Sequence, residues 1–111
     1  MRTYSIVAMN YLQTESFVAA LAVGTAVTLV REPINQFDKN AIAVWVNGQK
    51  VGFLPKKQNA ALAQFIDQTG QDWQNPDAAT MAMDETPNPY PKEIPAIFVR
   101  SPNSGYPMVQ V

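Results

Sequence analysis

The dipeptide Asn47-Gly48 stands between two apolar runs, "AIAVWV" (Ala41–Val46) and "QKVGFL" (Gln49–Leu54). A two-residue type I′ turn needs positive φ at both central positions, and Asn-Gly meets that demand with the least strain. The chain is therefore expected to double back here as an antiparallel hairpin, with the turn setting the register. In its first strand Ile42, Val44 and Val46 point one way, and Ala41, Ala43 and Trp45 point the other.

The remaining elements follow from periodicity and punctuation. "YSIVAMNYL" (Tyr4–Leu12) alternates and reads as an opening strand. Thr14 suits an N-cap, with Glu15 in the first turn and Phe17, Ala20 and Leu21 on one face, so a short helix ending near Gly24 is expected. "TAVTLVREP" reads as a strand closed by Pro33. From Pro55 to Thr69 the period becomes helical: Leu62, Phe65 and Ile66 form an apolar stripe, and Lys57, Gln58, Gln64 and Asp67 form the other face. Pro55 suits the first turn and Gly70 the position past the end. "GQDWQNPD" reads as loop, and "AATMAMDE", "EIPAIFVR" and "YPMVQV" as further strands, with turns at "TPNPYPK" and "SPNSG". Pro87, Pro89, Pro91 and Pro95 read as a stiff connector, with a polyproline ligand as the other reading. The sum is six or seven short strands and two helices, a mainly β chain. A small barrel or curled sheet with a helix plugging one end fits, since closure removes exposed edges.

Composition narrows the chemistry. With 111 residues, 47% hydrophobic and 15% charged, the chain suits one compact domain spanning 1–111. A net charge of −1 is a poor footprint for gripping a long nucleic-acid backbone, though it permits a small basic patch. Cysteine and histidine are absent, which excludes disulfides, a cysteine nucleophile, Cys/His zinc sites and a Ser-His-Asp triad. No carboxylate pair stands with a base, nucleophile or metal pattern, so a non-catalytic protein without cofactor is expected. Polar residues interrupt the N-terminal apolar run, and no window approaches the roughly 18 apolar residues of a membrane span. A cytoplasmic protein is the default.

The most informative stretch is "REPINQFDKN" (Arg31–Asn40), where Arg31, Glu32, Asp38, Lys39 and Asn40 crowd together. They hold either a loop or a ligand. Asp38 and Asn40 precede a strand, where such side chains often bond their own backbone. Arg31 and Glu32 point to opposite faces and need not pair, and Glu32 suits a solvated position. Phe37 and Phe53 read equally as core or as contact residues. Trp45 is either the outer face of a barrel wall or an exposed contact, and Trp73 an anchor under its loop. Lys56 and Lys57 at a helix start oppose the helix dipole slightly, mild support for a functional reason.

The string "REP-N--DKNAI" (Arg31, Glu32, Pro33, Asn35, Asp38–Ile42), followed by "VGFLPK" (Val51–Lys56) and "NAALAQFID", resembles the HIRAN domain. This family occurs alone in bacteria and attached to DNA-remodelling ATPases. The resemblance covers about residues 6–67, and 79–111 would complete the barrel. It implies a modified OB-fold, a small six-stranded β-barrel with one or two short helices. The implied function is binding of single-stranded DNA and capture of 3′-hydroxyl ends, in DNA repair or replication-fork processing. Carried over, Tyr11 and Phe37 would stack bases, Asp38 would accept from the 3′-hydroxyl, Phe53 would line the pocket, and Lys56 with Lys57 would meet phosphate. Asn10 stands where DNA-binding members tend to be basic, Phe37 replaces a tyrosine, and Phe53 replaces a histidine. The alternative is an interaction module of the same fold that has lost DNA binding and docks a protein through Trp45, Trp73 or the proline-rich loop.

Overall fold

The computed structural model describes residues 2–73 and 92–111. Its elements are β1 (Thr3–Ser5), α1 (Met9–Leu12), α2 (Glu15–Ala19), β2 (Ala26–Arg31), β3 (Ile42–Val46), β4 (Gln49–Phe53), α3 (Ala60–Thr69), β5 (Gln71–Asp72), β6 (Lys92–Arg100) and β7 (Pro107–Gln110). The expected turn forms at Asn47 (φ 52°) and Gly48 (φ 78°). It pairs Val46 with Gln49 and Trp45 with Lys50, and an irregularity before Trp45 then sets Ala43 opposite Phe53.

All pairings are antiparallel, in the order β1-β7-β6-β2-β3-β4, with β5 added beside β6. The far ends of this sheet meet. Val7 exchanges two backbone hydrogen bonds with Phe53, at 2.8 and 2.9 Å. The chain is thus a curled antiparallel sheet with few short helices, an OB-like architecture as expected. Ile6, Leu29, Ile42, Val44, Val46, Val51, Phe98 and Val109 fill its interior, and α3 adds Leu62, Ala63 and Ile66.

Several local expectations are corrected. Tyr4–Leu12 is not one strand: β1 stops at Ser5, Ala8 takes a left-handed φ of 66°, and Met9–Leu12 turns as α1. Asn10 and Tyr11 are therefore helical. The tight crossing explains the break, because Ile6 and Val7 pass over Gly52, which has no Cβ to obstruct them. Thr14 does precede α2, but its hydroxyl donates to the Val51 carbonyl instead of capping, tying the helix to β4. That helix ends at Ala19, short of Gly24.

Pro55 does not begin α3. It opens a separate turn, and the helix starts at Ala60. Phe65 leaves the apolar stripe and is half exposed, while Asn59 occupies the inner row with Leu62, Ala63 and Ile66. Gln71–Asp72 pairs with β6 instead of looping out. Pro95 belongs to β6, opposite Thr28, in the gap between the β5 and β7 pairings, where a missing N–H is tolerated. The strand expected over Ala78–Glu85 and the connector residues Pro87, Pro89 and Pro91 lie outside the described residues.

Candidate nucleic-acid interface

The frame of the site is the loop between β2 and β3. Arg31, at the end of β2, is buried, and its guanidinium is used on every side. Nε and NH2 donate to Asp67 of α3 at 2.9 and 3.3 Å, NH1 donates to the Ala41 carbonyl at 2.8 Å, and NH2 to the Lys39 carbonyl at 3.1 Å. This planar fork ties both the loop and the helix to the sheet, which a lysine could not do. The Asn35 side chain accepts from the backbone N–H groups of Phe37 and Asp38, at 2.8 and 3.1 Å. Its amide donates to Glu32, and Glu32 pairs with Lys50 at 2.6 Å. Glu32 is thus a partly buried hub, not a solvated surface group.

The loop holds its ligand-facing candidates outward. Phe37 is 75% exposed at the tip, and Lys56 donates to its carbonyl at 3.2 Å. Asp38 is partly covered. Its Oδ1 accepts from the Asn40 backbone N–H and its Oδ2 from the Asn59 side chain, both at 2.9 Å. Partial burial pushes its pKa up. The bonds from Asn59 and Asn40 and the charges of Lys56 and Arg31 outweigh that, and hold it below the ordinary 3.8. The carboxyl is therefore ionised at neutral pH.

A stability signature follows. A carboxyl depressed by folding contributes stability that is fully present above the unfolded value and lost as pH falls through the folded one. In paired urea titrations, the stability difference between wild type and Asp38→Asn is expected to stay constant above about pH 4 and shrink below it. A difference that stayed constant down to the lowest pH at which both fold would contradict the assignment.

The other aromatic candidate stands on α1. The Val7–Phe53 bridge fixes the chain two residues before it, and Tyr11 projects with 80% of its surface exposed beside an exposed Asn10. Phe53 is half buried, with the Lys50 ammonium 5.2 Å from its ring centroid. Contacts therefore run without a gap from Phe53 through Lys50, Glu32 and Asn35 to Phe37 and Asp38, and on to Lys56. Lys57 is exposed beside Lys56 and joins none of these bonds.

Sequence reasoning missed the parts played by Glu32, Lys50, Asn59 and Asp67. Only Asn59 carried a signal, a polar residue at helical spacing from Leu62, Ala63 and Ile66. On the outer face, Trp45 and Trp73 meet at 5.2 Å between ring centroids, tilted by 53°, so Trp73 covers the barrel wall. Among the described residues no cluster of three metal-ligating side chains occurs, and no helix is long and apolar enough to cross a membrane.

A curled antiparallel barrel of this kind defines a class of fold, the small OB-like module, and Tyr11 and Phe37 stand exposed on it. The family comparison makes this specific. A family model described as the HIRAN domain matches residues 2–81, and the chain belongs to the HIRAN family. It is 57% identical over 42 residues to the helicase-like transcription factor of Oryctolagus cuniculus, a stretch covering 37% of this chain and 4% of that protein. A crystal structure of a protein from Lactobacillus plantarum is similar across 99% of this chain and 88% of that one, with a TM-score of 0.67 and 25% identity. Family membership supports a nucleic-acid-binding module in general, of a kind that is typically non-catalytic.

Proposed function

We propose that this chain binds single-stranded DNA and captures its free 3′-hydroxyl end, in the repair or processing of DNA. The observation that carries the reading is Asp38, an ionised carboxylate held from behind by two donors and set next to an aromatic ring that is 75% exposed. Each carboxylate oxygen keeps a further lone pair, so a 3′-hydroxyl can donate to Asp38 without displacing Asn40 or Asn59. A 3′-phosphate would be repelled by the same charge. Tyr11 and Phe37 supply faces for bases, Asn10 and Phe53 border them, and Lys56 with Lys57 meet the backbone. With two or three phosphate contacts, the salt slope for a single strand is about −1.5 to −2.

Base stacking on an aromatic contributes about 1–3 kcal/mol. Fluorescence anisotropy at low salt, with a short 3′-hydroxyl single strand, is therefore expected to show roughly tenfold weaker binding for Tyr11→Ala and for Phe37→Ala. Unchanged affinity in both variants would remove the stacking roles. One observation favours the alternative protein-docking module: Glu32 already neutralises Lys50, the cation over Phe53. That reading predicts no binding to any single strand at low salt.

A further inference from the structure

Asn59 is the one side chain on the inner row of α3 that does not belong there by polarity. It is 1% exposed, directly before Ala60, in line with Leu62, Ala63 and Ile66. It makes no capping bond to the helix. Its amide nitrogen donates to Asp38 Oδ2 at 2.9 Å, while its oxygen is buried with no partner among the described residues. The reverse orientation would set that oxygen against a carboxylate, so charge fixes the donor toward Asp38. A buried acceptor without a partner is destabilising, and leucine has the same shape without it. The bond to Asp38 stabilises the loop, and the stranded oxygen offsets part of that gain, so net stability is a weak reason for an amide here.

We propose that Asn59 is a positioning residue for the 3′-end site: its buried amide fixes which way the Asp38 carboxylate faces a bound hydroxyl. This rests on the reading given under Proposed function. Asn59 touches no ligand itself. It acts through Asp38 by occupying one lone pair of Oδ2 and leaving the outward ones for the hydroxyl.

The test is Asn59→Leu, which keeps the volume and suits the apolar stripe, with Asn59→Ala as a second variant should the first fail to fold. Affinity is measured by anisotropy for matched single strands ending in a 3′-hydroxyl or a 3′-phosphate, alongside the thermal midpoint. The expected result is about tenfold weaker binding of the 3′-hydroxyl strand and unchanged binding of the 3′-phosphate strand, in a variant that stays folded with a thermal midpoint lowered by only a few degrees, the share of stability that the Asn59–Asp38 bond contributes. In an Asp38→Ala background, the same substitution is expected to change nothing further. Loss of both affinities together with stability would overturn the proposal in favour of a structural role. Retained hydroxyl preference in a folded variant would overturn it alone. A wild type that shows no preference between the ends would remove the proposed function along with it.

Discussion

Arg31→Ala is expected to lower the stability of the domain by about 3 kcal/mol and its thermal midpoint by about 15 °C. The guanidinium is the shared partner of Asp67 and of the carbonyls of Ala41 and Lys39, and its side chain is 5% exposed. Truncation strands two carbonyls and removes the tie between the loop and α3. Asp67 is 39% exposed and can turn to water, which keeps the loss at the low end for a broken buried pair. Arg31→Lys is expected to recover little of it, because one ammonium cannot reproduce a fork that meets three groups at once. Urea denaturation of both variants reads the effect directly. A midpoint within error of wild type for Arg31→Ala would show that the loop does not depend on this fork.

Gly52→Ala is expected to be about as costly, for a steric reason. A Cβ at this position would lie 2.5 Å from Ile6 Cγ2 and 2.7 Å from the Val7 carbonyl oxygen. The methyl group could turn aside, but the carbonyl cannot. It accepts the Phe53 N–H at 2.9 Å in the bridge that joins the ends of the sheet. Relief requires the bridge to open, so a penalty of about 3 kcal/mol is expected, at the upper end for overpacking. Amide hydrogen exchange locates the damage. Protection should fall first at Val7 and Phe53, with the hairpin turn unaffected. Uniform loss across the sheet would mean that the bridge is not the weak point.

These two positions show why the sequence could be read only in part. The hairpin was legible because Asn47-Gly48 encodes its turn locally, and the barrel class followed from the number of short strands. The break after Ser5 was not legible, because an alternating apolar run is identical whether it continues as a strand or bends over Gly52. Only the partner strand decides. Arg31 and Asp67 are far apart in sequence and meet only when α3 packs. Among the outward candidates, Lys56 bonds the Phe37 carbonyl beside Asp38, whereas Tyr11 and Asn10 stand on a helical turn instead of the strand expected there. Asn59 was hidden in plain view, since a helix wheel marks it as an error until Asp38 is seen beside it.

The central claim is that Asp38 selects the chemistry of a DNA end. The most direct measurement is the affinity of the full chain at low salt for two single strands that differ only in carrying a 3′-hydroxyl or a 3′-phosphate, repeated with Asp38→Ala. The expected result is tighter binding of the 3′-hydroxyl strand by wild type and loss of that preference in the variant. Equal binding of both strands by wild type, or an Asp38→Ala variant that keeps the preference, would contradict it.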